Sequence, residues 1–261
     1  AHEMIKKKHN VTFVSRHLPE FLKSKLYELN ISFKDIKIGE GKKVAGKLKH
    51  SSWLETTQKQ DATNFKNAIQ DADIVIVDHY SIDEEWEIDI SDHTKYLFVI
   101  DDLCDRNHYC DFLLDQNLYL DRTEKEYSKK VRSNTKLMVG TKYSLIRDEF
   151  IKYKDKLKTR DRSIKNILVF FGGIDNDNHT KIAINALKRL NLDLEIDVVV
   201  GKSNQYANEI KDLCNDHNLN FYHQISNIED LMFKADISIG AGGSTSWERC
   251  FMGLPSIIVS I

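Results

Sequence analysis

The sequence predicts an α/β protein built from two Rossmann-like domains that face each other across a cleft. Short apolar runs recur along the chain, and helical or loop stretches separate them. Hydrophobicity within each run is continuous rather than alternating, which is typical of strands buried on both faces in parallel sheets. Because this strand–helix alternation occurs in two series, it indicates two domains of the same kind. The predicted strands are VTFV, DIVIVD, YLFVID, DFLLDQN, NILVFFGG, LEIDVVVG, ADISIG and SIIVSI.

A charged segment, residues 151–165, separates the two series of strands. It is rich in Lys and Arg, contains almost no core material, and is typical of an exposed connecting helix. We therefore predict an N-terminal domain over residues 1–155 and a C-terminal domain over residues 156–261. Within the second domain, the stretch from Asn178 to Leu190 has apolar residues at helical spacing and is predicted to be a helix.

Composition favours a soluble protein of the cytoplasm. The chain is 41% hydrophobic and 30% charged, and its net charge of −2 gives no support for a nucleic-acid partner. No apolar stretch reaches the roughly 18 residues of a membrane span, and the N-terminus lacks an apolar signal region. The four cysteines fit reduced thiols better than a disulfide framework. The oligomeric state stays open.

The stretch from Ala235 to Ile261 carries the strongest functional signal, because a strand, a loop with three glycines, a short helix and a second strand follow one another. Glycines let the backbone approach a ligand, and the first N–H groups of a helix suit a phosphate. A carboxylate four residues beyond Ser244 suits the diol of a ribose. An ordinary turn is the alternative for a lone glycine loop. The predicted nucleotide-binding residues here are Gly240, Gly242, Gly243, Ser244, Thr245 and Glu248.

A second glycine loop follows another predicted strand. In parallel sheets, ligands bind beyond the carboxyl ends of the strands, so residues that directly follow an apolar run are candidates. Gly172 and Gly173 end the run 166–171 and are predicted to approach the same nucleotide. A tight turn in which Asp175 or Asn176 caps the next helix is the alternative.

Asp78, His79 and Tyr80 directly follow the run 74–77 and are the candidate catalytic residues. The alternative is structural, because an aspartate after a strand often caps a helix and the two ring side chains could simply pack in a loop.

Other polar residues receive structural predictions. Asp101 and Asp102 follow the run 96–100, and adjacent strand residues point in opposite directions. We expect one of them to anchor a loop by accepting backbone N–H groups, and we assign neither a catalytic role. Cys104, His108 and Cys110 match no common zinc spacing. We predict no metal site and no cofactor.

Six segments that span nearly the whole chain carry a family resemblance. Besides the stretch from Ala235, they are VTFVSRHLPE (11–20), IVIVDHY (74–80), VIDDLCDRNHYCDFLLDQN (99–117), GTKYSLIRDEF (140–150) and LVFFGGID (168–175). In this order they resemble the GT-B, MurG-like proteins, in particular the branch with the UDP-sugar hydrolase of pseudaminic acid biosynthesis and the spore-coat polysaccharide protein SpsG.

The resemblance implies a metal-independent hydrolase of a UDP-linked diacetamido-trideoxyhexose. Water would attack the anomeric carbon with inversion, and the free sugar would enter nonulosonic (pseudaminic-type) acid or surface polysaccharide synthesis. The matching tyrosine, Tyr80, would act near the sugar or the attacking water. Two alternatives stay open: a UDP-sugar glycosyltransferase with a hydroxyl acceptor, and a non-catalytic module that binds nucleotide sugars.

Two pieces of the family pattern do not occur in the sequence. Members open with a strand and a loop similar to G-x-G-H-x-x-R, and they continue past the last strand with a segment similar to A-x-N-Q. His2 and His9 lie in no glycine loop and receive no catalytic role. We expect either a fragment or a divergent relative, with the first strand of its N-terminal sheet missing and with little activity by itself.

Overall fold

A computed structural model describes residues 1–36, 46–119, 124–157, 159–160 and 163–260. It divides into two compact units, Ala1–Ser144 and Leu145–Ile261. Every strand pair among the described residues is parallel, as predicted. The boundary lies before the predicted one because Phe150 is fully buried in the C-terminal core, in a cluster with Leu168 and Met232.

The N-terminal unit pairs its described strands in two sheets. The strands are β1 (Thr12–Ser15), β2 (Ser32–Asp35), β3 (Ala72–Val77), β4 (Thr94–Ile100), β5 (Phe112–Asp115) and β6 (Lys136–Val139). β1 pairs with β2, while β3 to β6 form a second sheet in chain order. The α-helices are α1 (His2–Lys6), α2 (Glu20–Glu28), α3 (Gln58–Ala68), α4 (Glu84–Ile90) and α5 (Glu124–Tyr127). Because neighbouring parallel strands end at the same edge, the loops after β3, β4 and β5 lie together.

One face of the second sheet carries the N-terminal core. Phe65 of α3 and Trp86 of α4 pack in one cluster with Leu97 of β4. The prediction of burial on both faces is wrong here, since Ile74 and Ile76 of β3 are 47% and 49% exposed. A continuous apolar run thus does not reveal that only one face of a strand is covered.

The C-terminal unit has a single described sheet with the order β11-β10-β7-β8-β9. Its strands are β7 (Asn166–Phe170), β8 (Glu195–Val200), β9 (Asn220–His223), β10 (Ile237–Ala241) and β11 (Ser256–Val259). Its α-helices are α6 (Asp148–Ile151), α7 (His179–Arg189), α8 (Ala207–Asp216), α9 (Ile228–Lys234) and α10 (Thr245–Phe251). The chain runs from β7 through β8 to β9 and then returns to the other side of β7, so the strand order reverses between β7 and β10.

This sheet is buried on both faces, as its apolar runs predict. Ile167 and Val169 lie in one buried cluster with Ile184 of α7. Leu168, the residue between them, lies in a second cluster with Met232 of α9. The alternation follows from the period of two along a strand.

The charged segment, which was predicted to be a connecting helix, is part of the C-terminal unit and packs against it. Its described part contains the end of α6 and a 3₁₀ turn, Lys154–Lys156, rather than one continuous helix. Arg160 donates to the carbonyl oxygens of Met232, Ala235, Met252 and Gly253 at 2.7–2.9 Å. This arginine ties the C-terminal ends of α9 and α10 together, which a charge count does not reveal. Within the described ranges, no helix has both the length and the apolar character needed to cross a membrane.

Candidate functional site

The two predicted nucleotide loops lie side by side at the switch point of the C-terminal sheet. Gly172 and Gly173 follow β7, and Gly242 and Gly243 follow β10. β7 and β10 are hydrogen-bonded neighbours, with Phe170 opposite Gly240. In open parallel sheets, ligands bind beyond the strand ends at the place where the strand order reverses. The topology therefore brings together two loops that the sequence separates by about 70 residues.

Gly243 is required by its backbone conformation. Its φ of +112° lies in the region that side chains disfavour, whereas a Cβ added there would meet no atom within 4 Å. The loop turns at this residue, and Ser244 leads directly into α10, which begins at Thr245. Open space above the turn leaves the backbone approachable by a ligand.

Gly240 has a different requirement, namely close packing between strands. A Cβ at this position would lie 2.0 Å from the carbonyl oxygen of Phe170. The contact explains a glycine within β10 without any ligand, so the nucleotide role predicted for Gly240 has a structural alternative.

A buried arginine that the sequence analysis missed holds the β10 loop in place. Arg249 is 3% exposed, and its guanidinium donates to the carbonyl oxygens of Ala241 and Thr245. Burial lowers the pKa of this group. Arg249 thus joins the end of β10 to the start of α10 and fixes the path of the intervening glycines. An arginine in a short helix is usually exposed, so the sequence gives no signal of this role.

The capping role that was weighed for Asp175 is observed in part, because the N-cap residue of α7 is Asn178 while Asp175 accepts N–H groups of the first turn. Its carboxylate accepts the N–H groups of His179 and Thr180 at 2.9 and 3.0 Å, and the Thr180 hydroxyl at 2.6 Å. Asp175 therefore closes the first turn of α7 and stabilises the loop after β7. Gly172, with φ of +89°, lies on the open side of that loop.

Glu248 is held by an ion pair in the structure. Its Oε1 lies 2.7 Å from Nε of Arg147, and the glutamate is buried while the arginine side chain is 50% exposed. A buried carboxylate next to the glycine loop needs a cation or hydroxyl donors. Arg147 supplies the cation, and any ribose at this position would share the carboxylate with it.

The three catalytic candidates of the N-terminal unit lie in one loop beside a second carboxylate. Burial, together with the nearby Asp102 carboxylate, raises the Tyr80 pKa to about 12. Burial and the nearby charge of Asp102 raise the pKa of Asp78. Burial lowers the pKa of His79, whose Nδ1 accepts the N–H of Ser81 at 3.1 Å. The structure therefore places Asp102, which lies in the loop after β4, near the candidate residues that follow β3.

The prediction that one of the two adjacent aspartates anchors a loop is confirmed for Asp101. Its carboxylate accepts the Cys104 N–H at 2.9 Å and forms a buried ion pair with Arg106 at 2.7 Å. Arg106 in turn donates to the carbonyl oxygens of Ile82 at 2.7 Å and His79 at 3.4 Å. Asp101 thus acts through Arg106 on the backbone of the loop that carries Tyr80.

His108, one of the residues weighed as a zinc ligand, belongs to the same buried network. Its Nδ1 lies 2.7 Å from Glu87, and its Nε2 lies 3.9 Å from Asp101. Burial alone would lower the His108 pKa, but the two carboxylates outweigh it and raise the pKa from 6.5 to about 9. Among the described residues, no three His, Cys, Asp or Glu side chains form a group that could hold a metal ion.

We expect this network to make the stability of the N-terminal unit depend on pH. Because the folded-state pKa of His108 is raised, its interactions contribute fully to the free energy of unfolding below about pH 6.5. This contribution is lost as the pH rises towards 9. The free energy of unfolding should fall over this window by roughly 1.4 kcal/mol for each unit of the pKa difference. Urea titrations at pH 6, 7.5 and 9 would measure it. His108→Asn is the control, and an equally steep fall in that variant would assign the effect to other groups.

Comparisons with known proteins identify the kind of domain that carries the glycine loops. Residues 148–261, almost the whole C-terminal unit, match the family model of the glycosyltransferase family 28 C-terminal domain. The uncharacterized protein MJ1062 of Methanocaldococcus jannaschii is 29% identical over 194 residues, which cover 72% of this chain and 40% of that protein. The UDP-2,4-diacetamido-2,4,6-trideoxy-beta-L-altropyranose hydrolase of Campylobacter jejuni is 26% identical over 163 residues, which cover 61% of this chain and 56% of that enzyme.

The chain therefore spans about half the length of these curated relatives. The crystal structure of Acinetobacter baumannii MurG superimposes with a TM-score of 0.52 at 15% identity and covers 100% of this chain and 73% of that one, which supports the fold alone. The domain match covers the C-terminal unit alone, and the structural likeness supports a GT-B-like fold. They do not single out the branch that contains SpsG.

Proposed function

We propose that the protein binds a UDP-sugar and hydrolyses it to UDP and the free sugar. The observation that carries the proposal is the pair of glycine loops at the switch point of β7 and β10, within the segment that matches the glycosyltransferase family 28 C-terminal domain. The Campylobacter relative, a hydrolase of a UDP-linked diacetamido-trideoxyhexose, supports the choice of reaction and substrate class.

In this proposal, the backbone of the β10 loop binds the diphosphate. Gly242 and Gly243 allow close approach, and Ser244 and Thr245 add N–H and hydroxyl donors. The loop after β7, with Gly172 and Gly173, borders the same ligand. Glu248 accepts the ribose hydroxyls while it keeps its ion pair with Arg147.

The proposed reaction is a displacement at the anomeric carbon. The oxygen of water forms a bond to the anomeric carbon. The bond between this carbon and the diphosphate oxygen breaks, and UDP leaves with the electron pair. Asp78, His79 and Tyr80 are the candidates for handling the water and the sugar. Of these, Asp78 and His79 are the candidates to accept the water proton, because burial and the charge of Asp102 raise the pKa of Asp78, while burial lowers the pKa of His79 and favours its neutral form. Tyr80, with its pKa near 12, acts as a hydrogen-bond donor.

The test is UDP release by the purified full-length protein from UDP-2,4-diacetamido-2,4,6-trideoxyhexose without any acceptor. Turnover in H₂¹⁸O should place the label in the sugar and leave UDP unlabelled, because the bond that breaks is the one at the anomeric carbon. Activity should persist in EDTA. Label in UDP would show attack at phosphorus and would exclude the proposed mechanism.

Glycosyl transfer is the second candidate, and the match to a glycosyltransferase domain favours it. The nucleotide site would be the same, with an acceptor hydroxyl in place of water. A transferase releases UDP only after an acceptor sugar or lipid is added, whereas a hydrolase does not need one. Tight UDP binding without release under either condition would favour a non-catalytic binding module.

Glu248→Gln should weaken UDP binding by about tenfold, because the neutral amide loses the charge-assisted bonds to the ribose. Calorimetric titration with UDP measures the change, and uracil should bind both proteins alike. Arg147→Met is the matched control, since it removes the partner of the carboxylate but keeps the carboxylate itself. If both variants lose thermal stability equally and neither loses UDP affinity, Glu248 serves only the ion pair.

A further inference from the structure

An exposed aromatic cluster lies beside the Tyr80 loop. The rings of His50, Trp53 and Tyr80 have centroids 4.8–5.9 Å apart, so each ring contacts the other two. Trp53 is 59% exposed even though it is the largest of the three. A large flat ring exposed to water, beside a loop that follows the carboxyl end of β3, is a feature of ligand sites rather than of cores.

The turn that carries Trp53 is anchored from both sides. It is a 3₁₀ turn, Ser51–Leu54, in which the Trp53 N–H donates to the His50 carbonyl at 2.9 Å. The hydroxyl of Ser81, the neighbour of Tyr80, donates to that same carbonyl of His50. Arg16 donates to the Leu54 carbonyl at 3.0 Å.

The anchor of this turn is itself largely buried. The Arg16 guanidinium pairs with Asp61, whose second oxygen accepts the indole N–H of Trp86 at 2.8 Å. Asp61 and Trp86 are 4% and 3% exposed. Trp53 is therefore presented to solvent by a fixed framework, so little conformational entropy is lost when something stacks on it.

Polar groups flank the cluster on the side of the sheet edge. The carboxylates of Asp78 and Asp102 lie close enough to each other and to the Tyr80 hydroxyl for their charges to interact with it. A flat apolar surface next to carboxylates matches the two sides of a hexose ring, namely the C–H groups of one face and the hydroxyl and amide groups around the rim.

We propose that Trp53, with His50 and Tyr80, forms a stacking platform for the hexose ring of the UDP-sugar, and that it favours sugars with an apolar face, such as acetamido-deoxyhexoses. This inference rests on the proposed function and deepens it. It assigns a specificity-determining role to Trp53, a residue that neither the glycine loops nor the catalytic candidates include.

The test compares UDP with a methylene-linked analogue of UDP-2,4-diacetamido-2,4,6-trideoxyhexose, in which CH₂ replaces the anomeric oxygen and hydrolysis cannot occur. Calorimetry on the full-length protein gives both affinities. Trp53→Ala and Trp53→Leu should each lower the affinity for the analogue by about threefold to tenfold, as expected for the loss of an aromatic contact. The affinity for UDP should stay unchanged. Trp53→Phe should retain most of the affinity. Tyr27→Ala, at an 83% exposed ring of α2, is the control and should change neither.

Two results would overturn the platform while the proposed function stands. In the first, Trp53→Ala and Trp53→Leu weaken the binding of UDP and of the analogue equally, and in the second they weaken the binding of neither. An analogue that binds the parent protein no better than UDP would overturn it as well. Absence of UDP binding by the parent would overturn the proposed function itself, and the platform with it.

Discussion

Gly243→Val should weaken UDP binding by tenfold or more, on the order of 1.4 kcal/mol. The effect is conformational, since the residue has φ of +112° and a Cβ would meet no neighbour. A β-branched side chain disfavours this φ, so the loop must change its path and move its N–H groups away from the diphosphate. Calorimetric titration with UDP measures the loss of affinity, and hydrogen exchange of the β10 amides checks that the C-terminal unit stays folded.

Gly140→Val is the matched control for backbone strain. Gly140 has φ of +103° and equally open space, but it belongs to the N-terminal unit. Gly140→Val should lower the free energy of unfolding about as much as Gly243→Val does, and it should leave the affinity for UDP unchanged. Unchanged affinity in Gly243→Val as well would remove the diphosphate from this loop, and equal losses in both variants would show that strain acts through general unfolding.

The strands and the parallel sheets could be predicted because the responsible signal is local. All eight predicted strands occur, as does the helix over most of Asn178 to Leu190. The three described strands that were not predicted, β2 (SFKD), β6 (KLMV) and β9 (NFYH), are short, and the first of them is mostly polar. Their pairing is decided by neighbouring strands rather than by their own residues.

The candidate site could be predicted only where glycines or strand ends mark it. The loops after β7, β10 and β3 were found in this way. The residues that fix those loops were not, because their partners are distant in the sequence: Ser81 bonds to His50, and Arg16 bonds to Leu54. Arg249 and Arg106 are charged residues inside the fold, against the usual preference of arginine for the surface. Only the folded chain shows which carbonyl groups they serve.

Arg106→Met should cost the N-terminal unit about 3–5 kcal/mol of unfolding free energy. The Arg106 and Asp101 side chains are 3% and 0% exposed, and their charged atoms lie 2.7 Å apart. Removal of the guanidinium leaves the Asp101 carboxylate buried with a weaker set of partners, and the carbonyl groups of Ile82 and His79 lose a donor. Native-state hydrogen exchange of the Leu97 and Val99 amides in β4 reports this stability without contribution from the C-terminal unit.

Lys129→Met is the matched control, because its ion pair with Glu126 is exposed and its loss should change stability by less than about 1 kcal/mol. The loss of unfolding free energy in Arg106→Lys should lie between the losses in these two variants. An ammonium keeps the charge but cannot bond Asp101 and both carbonyl groups in the same fork geometry. UDP affinity should be unchanged in all three variants, whereas turnover should fall in the Arg106 variants as the Tyr80 loop loses its anchor. A cost for Arg106→Met no greater than that for Lys129→Met would mean that the buried ion pair holds neither the unit nor the loop.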